Sequence, residues 1–174
     1  MCNDKLLMVV IAVSAFGVSL IGCKSERSRL IDQYTEGNIK KMSIIYNIFT
    51  INNKYKGPKD EAELKEWVAS DAAVRKLSRL HIDSNKFDQY MISERTHEKF
   101  EIRWGVDSRP MGPPRPVVFE ATAVEGVRQV GLAGGADVLN VDTDAEYDEL
   151  MEGYYIPKDY DKYPNRKKKP KKKN

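Results

Sequence analysis

Ser93, Glu94 and His97 fall within five residues of one another, and with Asp107 they supply the nucleophile, base and acid that a small hydrolase needs. No glycine-flanked elbow surrounds Ser93, and nearness along the chain is not triad geometry, which is assembled in space. The chain has two histidines, His81 and His97. His97-Glu98 supplies the first two residues of a helical zinc-binding pattern without its second histidine, and Phe100 beyond it belongs to a strand pattern. Turn surface is expected there, with no metal. Asp142, Asp144 and Glu146 alternate like the opening of a calcium loop, yet the sixth position holds Tyr147 where glycine is due, and the twelfth holds Gly153 where glutamate is due. Helix capping accounts for these acids better. Gly131, Gly134 and Gly135 sit between two strand-like runs with no lysine and no helix directly after, which suits a hairpin and not a phosphate loop. No catalytic residue and no cofactor is expected from these groups.

Chemistry of another kind is written at Leu20-Ile21-Gly22-Cys23. The apolar run Leu6 to Leu20 ahead of it suits the core of an export signal and is short of the roughly 20 residues that span a membrane. Gly22 offers a peptidase a residue without bulk, and Cys23 is the one nucleophilic side chain there able to form a thioether. The stretch resembles the lipobox of bacterial lipoproteins. The resemblance implies cleavage between Gly22 and Cys23, acylation of Cys23 with fatty chains such as palmitate, and a protein held to the envelope membrane by lipid. Because Lys24 and Ser25 follow the cysteine where sorting would use aspartate, it further implies the outer membrane, on its periplasmic face, in a two-membrane cell. A soluble secreted protein with a chance cysteine is the competing reading.

A chain of 174 residues, 41% hydrophobic and 32% charged, leaves about 150 after such a leader, enough for one domain with a real core. Cys2 departs with the signal and Cys23 is acylated, so no cysteine is left for a disulfide, a thiolate metal site or a thiol nucleophile. The formal charge of +3 hides an asymmetry. Arg166, Lys167, Lys168, Lys169, Lys171, Lys172 and Lys173 form a run of seven cations without an acid. With that run, Lys5 and Asp4 set aside, 21 basic and 25 acidic residues remain, so the domain is acidic and the tail alone makes the chain basic. The organisation expected is a signal peptide over 1–22, a mobile lipidated tether over 23–29, a domain over 30–153, and a Tyr/Pro linker with a disordered polybasic tail over 154–174.

Within the domain, Ile31, Tyr34, Met42, Ile45 and Phe49 recur at helical spacing from about Leu30 to Lys54, with Ile44, Ile48 and Ile51 as a second stripe. Gly57, free to take a left-handed cap, and Pro58 stop that long helix. Asp60 and Glu63 form a capping box ahead of Leu64, Trp67 and Val68. Ser70-Asp71 opens another helix, with Val74 and Leu77 inward. Beyond Asp83 the period changes to two: Tyr90 to Ile92 reads as a short strand, and Phe100, Ile102 and Trp104 alternate as the inward side of another. The run from Arg109 to Pro116 is an extended connection, Val117-Val118-Phe119 resumes the sheet, and Gly134-Gly135 marks a hairpin before Val138 to Val141. Thr143 and Glu146 cap a closing helix that buries Tyr147, Leu150 and Met151. The class expected is α+β, a long N-terminal helix and short helices on a small antiparallel sheet with a closing C-terminal helix.

That order of elements, from about Leu30 to Met151, resembles the exported domains of pilin-like and pseudopilin proteins, with a lipobox where pilins carry their assembly helix. The functional expectation is a non-enzymatic, lipid-anchored envelope protein that binds a protein partner or the wall. Its polybasic tail would meet anionic lipid, lipopolysaccharide or a wall polymer, and no nucleic acid is expected outside the cell. A pilin-like secretion-system component and, behind it, a small envelope hydrolase are the alternatives.

Overall fold

The computed structural model describes residues 25–107, 114–134 and 137–153. Among these residues the chain forms helices α1 (Glu26–Tyr34), α2 (Asn38–Asn52), α3 (Glu61–Val68), α4 (Asp71–Ser78) and α5 (Phe87–Tyr90), then strands β1 (Glu101–Ile102), β2 (Arg115–Phe119), β3 (Arg128–Ala133) and β4 (Val138–Val141), then α6 (Asp144–Met151). The strands pair in sequence order, each antiparallel to the next. The class is α+β, as the succession of periods indicated.

The helices begin where the sequence supplies a cap. Asp60 accepts from the Glu63 N–H at 2.8 Å, Ser70 from that of Ala73 at 3.3 Å, and Thr143 from that of Glu146 at 3.3 Å. Each satisfies one of the donors left open at a helix start, an effect of about 1 kcal/mol. In α3 the Glu63 carboxylate reaches back to the N–H of Lys59, one residue before the cap, at 2.7 Å.

The core lies between α2 and one face of the sheet. Met42, Ile45, Tyr46 and Phe49 of α2 meet Val117 and Val118 of β2, while Leu64, Val68, Ala73 and Leu77 close the far side of the helix. Burying each large apolar side chain contributes about 1.5–3 kcal/mol. α2 approaches β3 closely at Gly131, where a side chain would overlap the Ser43 hydroxyl and press on Ile39. A smaller cluster on α6, Tyr147 and Leu150 with Phe119, Val130 and Val141, holds the sheet from its C-terminal end. Phe119 and Tyr147 meet edge to face, 5.9 Å apart. Between Pro116 and Val118 the register of β2 slips by one residue against β3, and this bulge breaks the alternation of β2, from Pro116 to Phe119 all buried.

Five expectations change. The helix expected from Leu30 to Lys54 is two helices: Thr35 turns its hydroxyl back onto the Ile31 carbonyl at 2.9 Å, and Gly37 at φ 84° redirects the chain. Residues 26–29, assigned to a tether, form the first turn of α1, capped by Ser25. The strand expected at Tyr90 to Ile92 is the end of α5 and a single bridge between Ile92 and Lys99, because the Asp83 side chain caps a helical turn just before it and leaves too few residues for a ladder. Trp104 is only half-buried, since β1 ends at Ile102 and the chain turns at Gly105, whose N–H donates to Pro58. In α4 the inward residues are Ala73 and Leu77, and Val74 is exposed.

Gly57 serves a different purpose from the one its position suggested. The left-handed turn after α2 is made by Lys54 and Tyr55, at φ 55° and 67°. Gly57 is needed because a side chain there would strike the backbone of Val106 and the Tyr46 hydroxyl.

Candidate functional site

A cleft of about 350 Å³ opens between the start of α2 and the turn that follows α5, lined by Gly37, Asn38, Lys40, Glu94, Gln129 and Val138 among others. Its two walls are stitched together at Asn38. The Asn38 amide donates to the carbonyls of Gln89 and Ile92 at 3.1 and 2.9 Å, and its N–H donates to the Glu94 carboxylate at 3.3 Å. Gly37 has no side chain to cap α2, so a carboxylate 56 residues away does it.

Part of the cleft's own lining, with Ser93 and Arg95, is a buried carboxylate. Glu120, 1% exposed, accepts from the Ser93 hydroxyl at 2.6 Å, from Arg95 at 2.8 Å and from the Gln129 N–H at 2.8 Å. Arg95 spends its other terminal nitrogen on the carbonyls of Val124 and Val127, both at 3.2 Å. Around the same residue, the Tyr147 hydroxyl donates to the Glu120 carbonyl at 3.0 Å. Every buried side-chain nitrogen and oxygen in the described residues has a partner. Charge this deep is tolerated only when it is paired and hydrogen-bonded, and here three donors, one of them a cation, meet it.

This bonding decides what Ser93 can do. Its proton is given to Glu120, and its oxygen accepts from the N–H groups of Arg95 and Thr96 at 3.1 and 3.2 Å. A nucleophile needs a base that takes its proton and a lone pair free to attack. Both lone pairs of Ser93 are taken up by N–H groups, and the carboxylate its O–H meets is itself engaged by Arg95 and the Gln129 N–H. His97 stands on an exposed turn at φ 59°, and Asp107 binds the Gly57 N–H at 3.2 Å in the segment after α2. His97 shares the turn of Ser93, its N–H donating to the Ser93 carbonyl at 2.9 Å, but no side-chain hydrogen bond among the described residues joins Ser93, His97 and Asp107, and Ser93 instead ties its turn to the sheet.

Of the acids of the calcium-like pattern, Asp144 pairs with Arg128 at 2.6 Å, and Arg128 lies over the Tyr147 ring, 4.6 Å from its centre. Among the described residues, His, Cys, Asp and Glu nowhere gather in a group of three or more that could hold a metal. Burial pushes the Tyr147 and Tyr46 hydroxyls up to about 12. Tyr46 sits at 0% exposure, accepting from the Val106 N–H at 2.9 Å and donating to the Arg103 carbonyl at 3.0 Å. The carboxylate at Glu120 was not singled out from the sequence, because it follows an apolar strand as any turn residue would and its partners lie 9, 25 and 27 residues away.

Gly22, Cys23 and the cations from Arg166 to Lys173 lie outside the described residues. No helix among the described residues is long and apolar enough to cross a membrane. No family model matches the chain, and no curated protein or solved structure is significantly similar to it.

Proposed function

We propose that this is a lipid-anchored binding protein of the bacterial envelope, held at the membrane by an acylated Cys23 and performing no covalent chemistry of its own. The observation that carries the reading is the sequence Leu20-Ile21-Gly22-Cys23 at the end of a fifteen-residue apolar run. The saturated bonding of Ser93 supports the non-enzymatic half. The cleft beside α2, at about 350 Å³, is within the range of roughly 300–1,000 Å³ that takes a small ligand or a peptide side chain.

In a bacterial host, Cys23→Ser should abolish labelling by a fatty-acid probe and release the protein from membranes. A Cys23→Ser chain without label that still floats with membranes at high salt, where the hold of the tail is screened, would refute the anchor. On the same reading the protein fractionates with the outer membrane, and recovery from the inner membrane alone would overturn that assignment.

The tail supplies a second hold. Each lysine near an anionic surface contributes on the order of 1 kcal/mol, screened beyond about 8 Å at physiological salt. Removing residues 166–174 from the Cys23→Ser protein should therefore reduce its sedimentation with anionic vesicles at low salt, with the difference vanishing as salt rises. Equal binding with and without the tail would show that it has no part at membranes.

A further inference from the structure

Helix α1 has a face that the domain does not use. None of its described side chains is buried, and Leu30 is 59% exposed. Asp32 Oδ1 and His81 Nδ1, 2.7 Å apart, tie it to the domain. At about 100° of rotation per residue, Leu30 and Asp32 stand about 200° apart, so the side that carries Leu30 is turned away from the side that meets the domain. Arg27 lies about 60° from Leu30 on the outer side and is exposed, as is Glu26, about 40° from Leu30 on the other flank; Arg29 stands about 60° from Asp32, nearer the side that meets the domain. A nine-residue helix does not persist in water on its own propensity, so the outer face calls for a partner.

Where the helix sits says which partner. Cys23 precedes Glu26 by three residues, which span at most about 11 Å even fully extended. An acylated Cys23 would hold α1 at the bilayer surface, with no length of chain to lift it clear. We infer that α1 lies flat on the bilayer surface, with Leu30 among the upper acyl groups, Arg27 at the lipid phosphates, and Asp32 turned inward to His81. The inference rests on the lipid-anchor reading and adds a binding surface to it. α1 thereby becomes a spacer between membrane and domain, and it fixes which side of the domain faces the lipid: the side on which His81 follows α4.

The test uses the full, processed protein. Once Cys2 leaves with the signal and Cys23 carries lipid, Leu30→Cys introduces a single free thiol for an environment-sensitive fluorophore. Ile51→Cys, at a residue 55% exposed in the last turn of α2, is the matched control. In vesicles containing phosphatidylglycerol, the probe at position 30 should shift to the blue, be quenched by nitroxide-bearing lipid and be shielded from iodide. The probe at position 51 should remain open to iodide. Equal iodide quenching at both positions would overturn the inference, and so would shielding at position 30 without quenching from the lipid, which would mean that protein covers the helix. Both variants are first scored for flotation and fatty-acid labelling. Loss of both in a protein with Cys23 intact refutes the anchor, whereas a floating, acylated protein whose position 30 is open to iodide refutes the α1 surface alone.

Discussion

Replacing Arg95 with alanine tests the buried Glu120 cluster directly. The side chain of Glu120 is 1% exposed and that of Arg95 29%, so the pair is sealed at its acidic end and reaches water at its basic end. Breaking a fully buried pair by removing one partner costs about 3–5 kcal/mol, because the remaining charge is stranded. Here the Ser93 hydroxyl and the Gln129 N–H still donate to Glu120 after the change, which lowers the expected cost to about 2–4 kcal/mol. The Val124 and Val127 carbonyls also lose their shared donor. In a domain of this size about 3–4 °C of melting temperature accompanies each kcal/mol, so Arg95→Ala should melt roughly 6–16 °C below the parent. Urea titrations of the single variants and of Arg95→Ala with Glu120→Gln complete the measurement. The neutral amide removes the stranded charge, so the double variant should recover part of the loss. A cost within 0.5 kcal/mol of zero, as is usual for surface changes, or a double variant no better than Arg95→Ala, would refute the reasoning that this charge pair joins the 93–96 turn to the sheet.

Two further outcomes follow from the packing. Tyr46 and Tyr147 keep their protons in the folded protein up to about 12, whereas in the unfolded chain they lose them near 10. The native state then holds more protons in that window, so stability is intact below pH 10 and falls as pH rises through 12; a flat urea midpoint across the window in the parent, or the same decline in a Tyr46→Phe, Tyr147→Phe protein, would refute this. Gly131→Ala should lower stability by about 1–3 kcal/mol, since the new methyl group overlaps Ser43 and overpacks the α2 contact, and pairing it with Ser43→Gly should return much of the loss. Additive effects of those two changes would mean that α2 and β3 do not meet there.

The features legible in the sequence were those that depend on neighbours along the chain. Asp60, Ser70 and Thr143 cap their helices because a side chain and an amide three residues on find each other without tertiary help. The stripe of α2 and the run Val117-Val118-Phe119 were visible as period alone. What the pattern could not show was where the chain changes its mind over a few residues. Thr35 to Gly37 carry no proline, and the apolar spacing runs on across them, so the break between α1 and α2 leaves no mark on the periodicity. Trp104 alternates correctly with Phe100 and Ile102, but the ladder ends before it because the next residue turns. Gly57 could be seen as special, though not for its reason, which lies in Tyr46 and Val106. The site lining the cleft was the least legible, since Glu120, Ser93 and Arg95 are joined only by the folding of the 89–100 segment back onto β2 and β3.

The stitching around Asn38 has a mechanical meaning. On the proposed lipid anchor, the domain is pulled from its N-terminal end whenever the membrane moves away from what the domain binds. Tension entering through α1 arrives at Gly37, where a helix could begin to unwind one turn at a time. Three hydrogen bonds leave Asn38 at that point for Gln89, Ile92 and Glu94, so the force is shared side by side before it reaches the second turn of α2. From Glu94 the covalent neighbours Ser93 and Arg95 pass it to Glu120, at the end of β2, and thence to the paired strands. The sheet is thus coupled to the N-terminal end of the domain by a route that bypasses the length of α2, so on the proposed anchor a pull from the membrane need not travel through the helix that organises the core.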